Sequence, residues 1–326
     1  MRNYAPSPSL RGTTMDTVQV GKGLPALAVD VGGTNIKAGF VHENGEIEKV
    51  VILPTPPGKN KAPGVIDTIV ELSDNLAESG RSARVGSVLI PGVVNDRKGI
   101  GVHSENLGWD NVPFADILTE RLGYPVSVTH DVRGSGIAEY QLGYAHRFDN
   151  VVVLTIGTGI AGAIFINRQL IDGDGFAGEI GHIPVFGSNG PLCVCGQAGC
   201  LETVASAAAV AREYQRLSGI KVMGGKEVID LALSGDTLAA RIWDRATLGL
   251  AKCISQLCSI IAPEAILFAG GFSGAGDTLL NPVSEKLDSI LTFQRRPEIG
   301  CSKLGAKAGL VGAALQTRTL AERLGL

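Results

Sequence analysis

Apolar runs alternate with glycine-rich corners along this chain, and the spacing within each run sets the element it predicts. LPALAVDVGGTNIKAGFV reads as strand, glycine turn, strand, and EIEKVVILPT as a third strand reached through an ENG hairpin. Lys61 to Gly80 has the three-and-four spacing of a helix. VGSVLIPGVV is a buried strand running into a turn, and VPFADILTERLG is a helix with Pro113 suited to its first turn. PVSVTHDVRGSGIAEYQLG predicts strand, turn and helix in that order.

A second αβ block opens near Asn150. NVVVLTIGTGIAGAIFI repeats the strand, glycine turn, strand pattern. Helices are predicted over Leu201 to Leu217, Lys226 to Leu233 and Asp236 to Ile261, and a closing helix over Ala306 to Leu326. Between the last two, PEAILFAGGFSG is again a strand ending in glycines. The expected organisation is a disordered extension over 1–24 and a small α/β domain over 25–145, joined by the C-terminal helix 308–326. A large α/β domain follows over 146–307. The boundary falls between Leu142 and Asn150 without a proline- or serine-rich linker, so two domains sharing a hinged cleft are expected.

Composition narrows the class. At 326 residues, with 44% hydrophobic and 19% charged positions, the chain is long for one core and ordinary for a globular protein. A net charge of -3 gives no electrostatic case for nucleic acid or a membrane surface. No run of eighteen apolar residues is present. Met1 to Gly23 lacks the apolar core of a signal peptide, and Met15 is an alternative start. Cys253, Cys258 and Cys301 sit in apolar surroundings and read as reduced, buried thiols, which points to the cytoplasm.

Candidate chemistry concentrates between Glu179 and Glu202. His182, Cys193, Cys195 and Cys200 supply four N/S donors, the inventory of a closed structural zinc site. Thiols that merely pack are the alternative. Gly187, Gly190, Gly196 and Gly199 allow the loop to turn tightly enough for all four to face one point. The flanking carboxylates, Glu179 and Glu202, are candidates to hold a ligand. Elsewhere, Asp30-Val31-Gly32-Gly33-Thr34 follows an apolar strand, where backbone N–H groups and a hydroxyl can meet phosphate oxygens. Asp30 could hold Mg²⁺ through water. The spacing is not that of a P-loop, and a plain hairpin turn is the other reading. Gly157-Thr158-Gly159 and Gly270-Gly271 are two further turns of this type. Three such strand ends in this order suit one shared nucleotide.

The segments AVDVGGTNIKAG, IPGVV, ENLGWDNVP, HDVRGSGIAE, TIGTGIAGAI, AGEIGHIPV, CVCGQAGCLET and LFAGGFSG together resemble the ROK family of bacterial sugar kinases (repressor, open reading frame, kinase). The resemblance runs from Ala26 to the C-terminus. It implies a two-domain, actin-like (ribonuclease-H-like) ATPase fold that closes around sugar and Mg-ATP in a central cleft. It implies Asp131 as the general base, against a plain helix N-cap. It implies that Asn106, Glu179, His182 and Glu202 contact sugar hydroxyls, and that His130 occupies a sugar-contact position where the family usually has Asn. Asp30, Gly32, Gly33, Thr34, Asn35, Gly157, Thr158, Gly159, Gly270 and Gly271 would hold the nucleotide. Asn35 and Ala161 depart from the family's frequent Lys and Gly. Trp109 either stacks on sugar or packs in the core. The activity implied is phosphorylation of a hexose at its C6 hydroxyl, glucose first. An amino sugar or another hexose is the alternative, and a non-catalytic sugar sensor a more distant one. A homodimer or a dimer of dimers is the family's expectation.

Overall fold

The computed structural model describes residues 18–326. Within them the chain divides into two units, one formed by 18–142, 170–178 and 306–326, the other by 143–169 and 179–305. The segment 170–178 therefore clusters with the first unit, although it lies inside the stretch expected to form the large domain.

In the first unit, β1 (Ala26–Val31), β2 (Asn35–Val41) and β3 (Ile47–Pro54) form an antiparallel meander. After α1 (Ala62–Glu78), β4 (Val85–Ile90) returns parallel to β1. All six residues of β4 are buried, as a central parallel strand covered on both faces requires. A three-stranded antiparallel sheet follows, made of β5 (Val93–Asn95), β6 (Ile100–Ser104) and β7 (Trp109–Val112). Then come α2 (Phe114–Leu122), β8 (Val126–His130) and α3 (Asp131–Leu142). Pro113 takes the N-cap position of α2, one residue before the first turn proper. β8 pairs parallel with β4, giving the order β3-β2-β1-β4-β8.

The second sheet, drawn from the second unit apart from the last two residues of β11, repeats this plan. β9 (Val151–Ile156), β10 (Ile160–Ile166) and β11 (Gln169–Ile171) precede α4 (Glu202–Ala205), α5 (Ala207–Ser218), α6 (Gly225–Leu233) and α7 (Thr237–Ile260). β12 (Ala265–Ala269), α8 (Asp277–Ile290) and β13 (Glu298–Cys301) complete a sheet of order β11-β10-β9-β12-β13. β9 and β10 are antiparallel, whereas β9, β12 and β13 are parallel. The helix expected over Leu201 to Leu217 is broken in two. Ser206 turns extended, and its hydroxyl accepts the N–H of Ala209 at 3.1 Å, capping α5.

α9 (Ala308–Leu324) returns to the first unit and packs on β1, β4 and α3. Its closeness to α3 depends on glycine, because a Cβ at Gly312 would collide with the carbonyl of Gly134. Arg318 on α9 corrects the expectation of disorder up to residue 24. Its guanidinium donates to the carbonyls of Gly21 (3.1 Å), Leu24 and His42 (2.8 Å). Val20 and Gly23 also donate backbone N–H bonds to Gly45 and Glu43, so 18–24 is held along the hairpin after β2. The rest of the expected extension, Met15 included, lies outside the described residues.

Candidate active site and metal centre

β8 ends at His130 and α3 starts at Asp131 with no intervening turn, so the carboxylate stands at a strand-to-helix corner. A carboxylate there also meets the positive end of the α3 dipole. Asp131 is 29% exposed through its side chain, and its Oδ1 accepts the N–H of Val132 at 2.7 Å. His130 is 4% exposed, with Nε2 3.1 Å from Asp131 Oδ1. Burial, helped by the charge of Arg133, pushes the His130 imidazole down to about 3, so the ring is neutral. The contact is therefore not an ion pair. Its Nδ1 is buried without a hydrogen-bond partner.

Asn106 lies exposed in the turn between β6 and β7. Its neighbour Trp109 is in the core, edge-on to Phe114 at 5.0 Å, which selects the packing role for this residue. The Asp30–Asn35 corner is a hairpin turn: Gly32 N–H bonds to Asn35 O, and the Thr55 hydroxyl donates to Gly32 O at 2.6 Å. Gly33, Thr34 and Asn35 are exposed. Asp30 is 15% exposed and lies 3.5 Å from Lys37 Nζ. Burial raises its carboxyl above the usual range, and Lys37 partly offsets that. A Cβ at Gly309 would strike the Asp30 carboxylate, so α9 leaves it room only through glycine. An Mg²⁺ ion fits this single carboxylate, since it keeps most of its waters.

In the second unit two of the predicted phosphate turns come together. β9 and β12 are parallel neighbours, so Gly157-Thr158-Gly159 and Gly270-Gly271 leave the same end of the sheet. Gly270 has φ +78°, and a Cβ there would lie 2.5 Å from Ile156 O. Glu202 joins them. Its Oε2 accepts the N–H of Ile160 at 2.8 Å, and a Cβ at Gly159 would sit 2.5 Å from that oxygen. Glu202, expected on the sugar side, is thus fastened to an expected phosphate turn, a link the sequence did not signal.

The cysteine loop closes on itself through the Pro184–Cys200 and Leu192–Ala198 bridges. The donor atoms of His182, Cys193, Cys195 and Cys200 all lie within 4.8 Å of one another. Cys195 Sγ is 3.7 Å from Cys200 Sγ, and His182 Nδ1 is 3.5 Å from Cys193 Sγ. A tetrahedron with Zn–S bonds of about 2.3 Å has edges of about 3.8 Å, so the cluster fits zinc. Burial raises the Cys193 thiol and pushes Cys200 up to about 12, whereas the backbone N–H of Gln197 foremost draws Cys195 down to about 7. Glu179 precedes the 3-10 turn Ile180–His182, and its carbonyl accepts the His182 N–H at 3.0 Å. Gly181 rests against the Ile160 carbonyl, where any Cβ would clash.

Sequence reasoning passed over Lys37, Asp96 and Arg133. Arg133 offered one signal, a charged residue two positions after Asp131 on a helix otherwise rich in small residues.

Known proteins resemble this one along nearly its whole length. A Thermotoga maritima glucokinase is 35% identical over 322 residues, which is 93% of this chain and 99% of that protein. An N-acetylmannosamine kinase from Haemophilus influenzae is 31% identical over 88% of this chain and 93% of its own length. The crystal structure of a ROK family glucokinase from Streptomyces griseus, in complex with glucose and AMPPNP, gives a TM-score of 0.77 at 31% identity. It covers 90% of this chain and 99% of that one. The two sheets of like order are those of the actin-like ATPase fold of the ROK sugar kinases. The ROK family model itself spans residues 26–319, from β1 into α9, and with these relatives it establishes that the chain belongs to the ROK family.

Proposed function

We propose that this protein is an ATP-dependent sugar kinase that transfers the γ-phosphoryl group of Mg-ATP to the C6 hydroxyl of a hexose, glucose before others. The observation that carries the reading is Asp131, a part-exposed carboxylate on a rigid strand-to-helix corner, in a chain 35% identical to a glucokinase. A sugar hydroxyl is a poor nucleophile until a positioned base takes its proton. Asp131 accepts that proton as O6 bonds to the γ-phosphorus and the bond to the β,γ-bridging oxygen breaks, releasing ADP.

Asn106, Glu179, His182 and Glu202 hold the other hydroxyls. Glu202 has Oε2 committed to Ile160 N–H, which leaves Oε1 for the sugar. With Nδ1 of His182 turned to the sulfurs, Nε2 carries the proton and donates outward. The corners at Gly33–Thr34, Thr158–Gly159 and Gly270–Gly271 would offer backbone N–H groups to the phosphates, and Asp30 would hold Mg²⁺, which would offset phosphate charge. Zinc held by His182, Cys193, Cys195 and Cys200 would shape the loop that carries His182 and leads to Glu202.

A second reading, an N-acetylmannosamine kinase, is favoured by the Haemophilus influenzae relative and by the imidazole at position 130. A coupled ADP-release assay over glucose, mannose, fructose, N-acetylglucosamine and N-acetylmannosamine separates the two. Glucose is expected to turn over fastest, and preference for N-acetylmannosamine would select the second reading. Asp131→Asn is expected to fold and bind sugar with turnover lowered about 10²–10⁴-fold. Near wild-type turnover in that variant would remove Asp131 as the base.

A further inference from the structure

Arg133 is 1% exposed, one of the largest fully buried side chains among the described residues. A guanidinium removed from water must find nearly all its partners in the protein. Arg133 makes four hydrogen bonds. Nε and Nη2 form a two-pronged grip on Asp96, 3.2 Å to Oδ2 and 2.7 Å to Oδ1. Nη2 also donates to Val94 O at 2.7 Å, and Nη1 to Gly175 O at 3.2 Å.

Asp96 Oδ1 in turn accepts the backbone N–H of His130 at 3.3 Å. A closed ring results. It runs from the His130 amide through Asp131 and Val132 to Arg133, out along the guanidinium to Asp96, and back to the His130 amide. Asp131 is the residue enclosed by that ring, and its backbone is held on both sides.

The fourth bond reaches a different segment. Gly175 has φ +102°, and a Cβ there would collide with the Val94 carbonyl, so only glycine lets 170–178 lie against β5. That segment runs directly into Glu179. One guanidinium thus anchors both the corner that carries the base and the strap that leads to a sugar-binding carboxylate.

We propose that Arg133, acting through Asp96, is a positioning residue that fixes Asp131 in the geometry for proton abstraction. The inference rests on the reading of Asp131 as the base. A buried ion pair is a poor source of stability compared with apolar residues of the same volume. It is well suited to holding a reacting group within the fraction of an ångström that phosphoryl transfer demands.

Arg133→Lys keeps the charge and loses the fork. Asp96→Asn keeps an acceptor for the His130 amide and loses the charged grip. For both, kcat is expected to fall at least tenfold, while the KM for ATP stays within twofold, because most of the ATP-binding turns lie in other segments. The discriminating measurement repeats each substitution in an Asp131→Asn background. A residue that acts through Asp131 should there cost less than twofold further. An equal fold-loss in both backgrounds, or kcat within twofold of wild type in both single variants, would overturn the proposal. Should Arg133→Lys fail to fold, Asp96→Asn alone carries the comparison. Undiminished turnover in Asp131→Asn overturns the base assignment itself, an outcome distinct from inert Arg133 and Asp96 variants.

Discussion

His130 touches Asp131 with one ring nitrogen and buries the other without a partner, so its protonation state bears on Asp131, the proposed base, directly. A charged imidazole 3.1 Å away would hold Asp131 ionised and weaken it as a proton acceptor. Burial prevents that, at a cost that grows in acid. The folded pKa, about 3, lies below the unfolded value of 6.5, so the unfolded chain takes up a proton first. Stability is then complete above pH 6.5 and drains as pH falls towards 3. Between pH 7 and pH 5 the loss from this one group is about 2 kcal/mol. Urea midpoints at the two pH values should therefore converge in His130→Gln relative to the wild type. An unchanged pH slope in the variant would show that His130 titrates normally. The motif HDVRG singled out Asp131 and His130 as candidates. The burial of the imidazole was not legible, since it depends on strand β4 alongside and on the way Arg133 is turned inward, and neither is written in the motif.

At the scale of elements, strands that end in glycine were readable because the backbone leaves no alternative. Gly270 combines φ +78° with an approach to Ile156 O that excludes a side chain. Gly270→Ala is expected to raise the KM for ATP at least tenfold and to lower stability by about 1–3 kcal/mol, read by steady-state kinetics and thermal denaturation. A KM within twofold of wild type would detach this turn from the nucleotide. α8 was not readable, because Pro282 lies inside it. Proline cannot bond back to the carbonyl four residues earlier, that of Thr278. The indole N–H of Trp243 on α7 donates to that same carbonyl at 3.3 Å, a partner supplied from elsewhere in the fold. The three short strands β5–β7 escaped for a related reason. Each is five residues or fewer, and their pairing partners rather than their own pattern define them.

For the whole molecule, the repeated strand, glycine turn, strand pattern and the cysteine loop were the most legible features, because each rests on local pattern. The metal should behave as part of the fold. Cys195→Ser is expected to lower zinc content and to weaken sugar binding at least tenfold in parallel, measured by elemental analysis and titration calorimetry. Full zinc occupancy in that variant would take Cys195 out of the ligand set. Less legible was how the chain passes between units, and α9 bears the consequence. β1 and β4 are made early, yet the helix that covers them is translated only after the whole second unit. During synthesis the first sheet must wait with one apolar face bare, while the second unit is contiguous enough to fold at once. The order of maturation therefore runs against the order of the sequence: the half that carries the cysteine loop is finished first, and the half that carries Asp131 last. A ribosome that stalls before α9 would leave the cysteine loop folded and the first sheet exposed and unfinished, a form that chaperones and proteases can tell from the complete enzyme.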